Sequence, residues 1–226
     1  MAEKLCFLSE NNTYIEKLIN YKFYPGFAVS QRQKCVKSLH DSIHEQCPDR
    51  RILEISTKSQ CELGVRLSAF NLKFKYSEAN KMISVENVFQ AAKVFEGGGP
   101  YLDFLDMKPS QVKSDIRLKT SGNLLGFRYN GKDWPLEPQT LFYDWIYIEA
   151  LKQNPELAQG LLEYDAFTDI EFNHNKSVNC QARAAAIYVS LYKVGLLEEK
   201  TKSIEAFQSI YQQDPVLECE QIAFLL

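Results

Sequence analysis

The sequence predicts an α+β fold: a predominantly helical single domain spanning 1–226, with a small antiparallel sheet. Three observations carry this reading. Strand-like segments cluster in the first third and helical periodicity dominates afterwards, unlike the regular alternation of a parallel α/β sheet. Asn130-Gly131, a strong tight-turn dipeptide, interrupts the helical run with a hairpin. The 226 residues are 45% hydrophobic and 24% charged, with no repeat and no low-complexity linker, which suits one substantial core.

The elements follow in order. Residues 11–19 and 28–46 read as helices, the second with Val29, Cys35, Val36, Leu39 and Ile43 on one face. Pro25-Gly26 separates them and Pro48-Asp49 closes the second. Arg51-Ile-Leu-Glu-Ile55 reads as a strand, Leu67 to Phe74 as another, and Met82-Ile83 as a short third. A helix over 84–96 starts at the N-cap Ser84 and ends at Gly97-Gly98-Gly99-Pro100, a flexible cap or rim. Further helices are expected near 109–119, 139–153, 155–162, 178–194 and 203–213, with the hairpin from Leu125 to Lys132 between the first two.

Composition excludes several function classes. No apolar run approaches a membrane span, and Met-Ala-Glu-Lys-Leu-Cys6 has no secretory core, so a cytoplasmic protein without membrane contact is expected. Six scattered cysteines without a CxxC pair suit free thiols. A net charge of −3 is not that of a polycation. Residues 108–132 nevertheless carry Lys108, Lys113, Arg117, Lys119, Arg128 and Lys132 against Asp115 alone, a local +5 that suits either a polyanionic substrate or a solvated face. From Glu198 onward six acidic residues oppose Lys200 and Lys202, a balance of −4.

The richest chemistry lies in Ser84-Val-Glu-Asn-Val-Phe-Gln-Ala-Ala-Lys93. Helical spacing puts Glu86, Gln90 and Lys93 on one face, and Val85, Val88, Phe89, Ala92 and Phe95 on the other. A carboxylate, an amide and an amine in line form either an ordinary solvated stripe, which pattern alone favours, or acid/base and nucleophile groups facing a pocket. His40 and His44 have metal-ligand spacing, but Asp41 stands where a zincin has Glu, and only His174 remains, so no metal and no cofactor is expected. Gly97-Gly98-Gly99 fits no phosphate loop, and no GxSxG elbow occurs. Asp165, Asp169 and Glu171 are carboxylates able to flank an N-glycosidic bond or, equally, to cap and solvate a loop. Asn179 opens a helix whose Ala182, Ala184, Ala185 and Ala186 suit close packing or a phosphate at the helix start.

Gly64-x-x-Leu67-Ser-Ala-Phe70, followed by the Ser84–Lys93 block and Ala150-Leu-x-Gln-Asn-Pro-Glu-Leu157, resembles the NADAR (YbiA-like) family. Asp165 and Asn179 sit where that family has a late Asp and the Asn opening its last core helix; the resemblance spans about 52–195, flanked by an N-terminal extension, 1–50, and a helical tail, 196–226. Gln31-Arg-Gln-Lys34, Ser38-Leu-His40, Phe142-Tyr-Asp-Trp145, Phe167-Thr-Asp-Ile-Glu-Phe172 and Asn179-Cys-Gln-Ala182 are similar to the NADAR antitoxins encoded beside DarT-type toxins. Where general members carry Trp-Gly after the late Asp, this chain has Phe167-Thr168-Asp169.

The resemblance implies a glycohydrolase that removes ADP-ribose from guanine bases of DNA and pairs functionally with a DarT-type toxin. It implies Glu86, Lys93 and Asp169 as catalytic residues, Lys93 as an amine nucleophile forming a Schiff base. Phe70, Asn71, Gln90, Asp165, Phe167 and Asn179 would bind substrate: Gln90 orienting the ribose, Asn179 holding pyrophosphate, and Phe70 or Phe167 stacking on a ring. A nucleophilic lysine, with an ordinary pKa of about 10.4, must lose its proton and therefore needs a desolvated or cation-lined site. Two other functions fit: an N-glycosidase for small ribosylamine phosphates, and a non-catalytic ADP-ribose reader.

Overall fold

A computed structural model describes residues 1–11, 13–76 and 80–212. Its first elements are β1 (Ala2–Glu10) and β2 (Thr13–Tyr21), paired antiparallel along their whole length from Ala2↔Tyr21 to Glu10↔Thr13. The helix expected over 11–19 is therefore a strand. Thr13-Tyr-Ile15 supplies β-branched and aromatic residues, and pairing with β1 satisfies the backbone that a lone short helix would leave marginal. Next come α1 (Val29–Gln46), β3 (Ile52–Glu54), α2 (Glu62–Arg66), β4 (Lys73–Tyr76), β5 (Lys81–Ser84) and α3 (Val85–Ala91). Only the end of the strand expected at Leu67 is a strand; Glu62–Arg66 is helical and Leu67–Leu72 forms a turn, with Leu72 N–H donating to the Ser68 carbonyl.

The chain continues through β6 (Lys93–Phe95), α4 (Pro109–Lys113), α5 (Arg117–Thr120), β7 (Leu124–Tyr129), β8 (Lys132–Trp134), α6 (Leu141–Lys152), α7 (Pro155–Leu161), β9 (Ala166–Thr168), α8 (Gln181–Lys193), α9 (Leu197–Thr201) and α10 (Ile204–Gln208). The helix expected over 109–119 is thus two short ones, and the part of the C-terminal tail from 213 to 226 lies outside the described residues. The hairpin at Asn130-Gly131 is present, both residues with positive φ.

The larger sheet has the order β2-β1-β9-β3. Period-2 alternation splits β1 between two cores: Cys6 and Leu8 pack with Ile19, Val36, Leu39 and Ile43 under α1, while Phe7 faces the main core. The N-terminal segment thus caps the fold and covers one face of the sheet. Against the other face lies α8, buried along Gln181–Leu191. Its alanines at 182 and 184–186 are all inaccessible, as close packing requires. The Asp144–Arg183 ion pair ties α6 to α8 with contacts of 3.0 and 3.2 Å. Cys6, Cys35, Cys47, Cys61 and Cys180 are free. No described helix is long and apolar enough to cross a membrane.

Candidate active site

Ser84 opens α3 as a hydrogen-bonding N-cap, accepting from Asn87 N–H. The helix is docked at once: Val85 N–H donates to the Leu72 carbonyl, and Glu86 N–H to the Ala69 carbonyl. Glu86 and Gln90 follow one turn apart on the face opposite Val85 and Val88. Both are over nine-tenths buried, and Gln90 Nε2 donates to Glu86 Oε1 at 3.0 Å. This face is not a solvated stripe.

The helix does not run to residue 96. It stops at Ala91, because tertiary partners take over the next carbonyls: Tyr101 N–H bonds the Ala91 carbonyl and Arg128 N–H the Ala92 carbonyl. Lys93 pairs with Phe127 as the first residue of β6. Its side chain still reaches the space that Glu86 and Gln90 face, with Nζ 4.8 Å from the Phe89 ring centroid. The glycine run supports this break. Gly99 has φ +92°, and a Cβ there would lie 2.2 Å from the Lys93 carbonyl oxygen. The triplet is a structural stop rather than a flexible rim.

These side chains line a cavity of about 380 Å³. Glu86, Gln90 and Lys93 form one wall, and Phe70 another, with Lys113 Nζ over its ring at 5.2 Å. Asp169, Asn179, Gln181 and Tyr143 also line it. Burial, together with the positive charge of Lys113, pulls the Lys93 ammonium down to about 8, against an opposing pull from Glu86. Burial also pushes the Asp169 carboxyl up to about 7, reinforced by the nearby Glu54 carboxylate and opposed by hydrogen bonds from the Glu171 and Phe172 amides and by the Lys4 charge. Burial raises the Tyr143 phenol, which stays protonated.

Several polar groups at this cavity lack a partner. Among the described residues, Ser68 Oγ, Gln90 Oε1 and Asn179 Oδ1 are buried side-chain atoms without a hydrogen bond, and all three residues line the cavity. Native proteins rarely leave such atoms unmet, and their convergence makes this cavity the candidate site.

Six of the nine residues singled out from sequence meet here: Glu86, Lys93, Asp169, Phe70, Gln90 and Asn179. Three do not. Phe167 is wholly buried in β9, paired with Phe7 and Leu53 on the two sides, so it is a core ring and not a stacking one. Asp165 accepts from Arg51 N–H at 2.9 Å and from Arg50, fixing the start of β3. Asn71 turns back to donate to the Val65 carbonyl at 2.9 Å.

Gln181 and Tyr143 are site residues that the sequence presented without assigning them chemistry. Gln181 Nε2 donates to the Ile55 carbonyl at 2.6 Å and to Asp169 Oδ2 at 3.0 Å, while its Oε1 accepts from Ala69 N–H at 2.6 Å. One amide therefore fixes the Phe70 turn, the end of β3 and Asp169 together. Both residues lie inside family words, Asn179-Cys-Gln-Ala182 and Phe142-Tyr-Asp-Trp145, which was the available signal. Within the basic stretch, Arg117 binds Asp103 and Asp115, and Arg128 binds Asp133. Lys113 is the cation it brings to the cavity. His40 turns its Nε2 to Thr168 Oγ1 at 3.0 Å.

The α+β fold brings a buried acid, an amide and a desolvated amine to one polar cavity, an arrangement able to carry acid–base and nucleophilic chemistry. The model of the DarT1-associated NADAR antitoxin family matches residues 2–221, nearly the whole chain, and the protein belongs to that family. The match includes the N-terminal hairpin and α1 as well as 52–195. No curated protein matches the chain.

Proposed function

We propose that this protein is an ADP-ribosyl glycohydrolase that removes ADP-ribose from guanine bases of DNA, acting as antitoxin to a DarT-type ADP-ribosyltransferase. Membership of the antitoxin family supports the pairing with such a toxin. The observation that carries the reaction is the desolvated Lys93, in one cavity with buried Glu86 and Gln90 and the raised carboxyl of Asp169.

Cleavage at the anomeric carbon of the distal ribose builds positive charge on that carbon and negative charge on the departing guanine nitrogen. The Glu86 carboxylate offsets the first. The protonated Asp169 carboxyl supplies a proton to the second, so guanine leaves neutral with the bonding electron pair. The neutral Lys93 amine attacks the anomeric carbon and gives a proton to the Asp169 carboxylate left by the first step. Asp169 passes it to the ring oxygen as the C1–O bond breaks, and the sugar opens to a protonated Schiff base. Water adds to it, returning one proton to Asp169, and the amine is expelled, giving free ADP-ribose. Over the cycle one water is consumed, its hydrogen ending on guanine and its hydroxyl on the sugar. The unpartnered Ser68 Oγ, Gln90 Oε1 and Asn179 Oδ1 are suited to the ribose hydroxyls, Phe70 to a ring face, and Lys113 to a phosphate.

The test is incubation with a guanine-ADP-ribosylated oligonucleotide, reading released ADP-ribose and restored guanine. Glu86→Gln should abolish release with the fold intact, and borohydride should trap ADP-ribose mass on Lys93. Turnover of a free ribosylamine phosphate with none on modified DNA would instead establish a small-molecule N-glycosidase. Equal rescue from the toxin by wild type and Glu86→Ala would establish a reader.

A further inference from the structure

Directly behind the cavity floor lies a second carboxylate that the mechanism above does not use. Glu54 ends β3, in parallel register with Thr168 of β9. It is 2% exposed and does not line the cavity. Oε2 accepts from Thr168 Oγ1 at 2.6 Å; Oε1 accepts from Ser56 Oγ at 2.6 Å and from Ile170 N–H at 2.8 Å. Thr168 and Ile170 are the residues immediately before and after Asp169. One buried carboxylate therefore grips the chain on both sides of the carboxyl that faces the ligand. The Thr168 hydroxyl is in turn held by His40 of α1. Burial lowers His40 to about 4, so its ring is neutral and its Nε2–H is the donor that Thr168 lacks while its own proton serves Glu54.

We propose that Glu54 is the positioning residue for Asp169: it fixes the 168–170 backbone that aims the carboxyl at the cavity, and its negative charge keeps the proton on Asp169. This rests on the proposed acid role of Asp169. A buried carboxylate is costly unless its lone pairs are met, and the three donors around Glu54 meet them. Asp169 accepts two backbone amides at one oxygen, Oδ1, and Gln181 at Oδ2. With two carboxyls this close in one dry region, both cannot ionise freely. Burial pushes the Glu54 carboxyl up as well, but the Ile170 amide and the Ser56 and Thr168 hydroxyls pull it back. With those three donors Glu54 is the anion, and the proton falls to the cavity-facing partner.

Glu86 and Lys93 share the cavity with Asp169, and the remaining groups come from β1, α6 and the start of α8. Lys4 of β1, whose Nζ donates to the Phe172 carbonyl, lowers the Asp169 carboxyl. Cys180 before α8, and Tyr143 and Tyr147 of α6, are all raised by burial and remain neutral. Glu171 of the same turn is directed to Arg32 at 3.3 Å. Glu54 is thus the anion that holds the proton, and Lys4 the cation that opposes it.

Carbon-detected NMR titration of the side-chain carboxyls tests this without reference to turnover. In the wild type, Glu54 and Asp169 should each show two inflections at shared pH values, the signature of a coupled pair. Glu54→Gln keeps acceptors for Ser56 and Ile170 but removes the charge, and should move the Asp169 titration down by about 1 unit or more. Lys4→Met should move it up. In turnover of ADP-ribosylated oligonucleotide, the acid-side inflection of the pH profile, set by the lower of the two pKa values, should shift in the same two directions. Independent single-step titrations in the wild type, or an unmoved Asp169 in folded Glu54→Gln, would overturn the proposal. Coupled titrations in a protein that releases no ADP-ribose would leave Glu54's role standing and refute the glycohydrolase instead.

Discussion

Lys93 and Asp169 place opposite demands on pH. The amine must be free, which needs a pH above about 8, and the carboxyl protonated, which needs one below about 7. The working enzyme is therefore a minority protonation state, most populated near pH 7.5, midway between the two values. We expect a narrow bell for kcat/KM, falling on the acid side as Lys93 is protonated and on the alkaline side as Asp169 ionises. A flat profile between pH 6 and 9 would remove both groups from the reaction. The same desolvation weakens the fold. A lysine whose pKa is lowered on folding contributes stability at high pH that is lost as pH falls through about 8, since the folded protein resists the proton the unfolded chain accepts. Lys93→Met should thus raise stability by about 2 kcal/mol at pH 6–7, with the gain vanishing near pH 11. Chemical denaturation at the two pH values measures it, and a pH-independent difference would count against a buried ammonium.

At the scale of elements, the site was legible where helix chemistry and tertiary structure agree, as for Glu86 and Gln90, one turn apart after an N-cap serine. It was illegible where long-range pairing overrides local pattern. The run from Ser84 to Phe95 has helical periodicity throughout, yet β7 captures residues 93–95 and Tyr101 caps the helix. Lys93 reaches the cavity by a strand, which spacing alone could not reveal. The error over 11–19 has the same origin: β2 exists because β1 pairs with it, and β1 showed too little pattern to be read as a strand. Phe167 in turn had no sequence mark distinguishing a stacking ring from a central-strand core ring; its two neighbouring strands decide that. Gly99 tests the capture of β6. Alanine there meets the Lys93 carbonyl at 2.2 Å and a φ of +92°, so Gly99→Ala should cost about 1–3 kcal/mol and lower turnover more than it lowers ADP-ribose binding. Unchanged melting and unchanged rate would mean that the turn does not hold Lys93.

Across the whole molecule, the cavity is assembled from separate stretches of the chain: the Phe70 turn, α3 with β6 directly after it, the Asp169 turn and the start of α8. What joins the Asp169 turn to the rest is β9, between β1 on one side and β3 on the other. The N-terminal fifty residues are consequently part of the site's support and not an appendage. Cys6, Phe7 and Leu8 pair with Thr168, Phe167 and Ala166, Lys4 holds the Phe172 carbonyl, and α1 brings His40 to Thr168. A chain beginning at residue 51 would bare the edge of β9 and the second core under α1, including Ala166 and Ile170. We expect such a truncation to lose cooperative melting and to aggregate, and the N-terminal piece supplied in trans to restore neither state fully. Circular dichroism melting and size-exclusion chromatography decide it. A soluble, cooperatively melting 51–226 fragment with wild-type release of ADP-ribose would show that β3, α6 and α8 alone suffice to hold Asp169 in place.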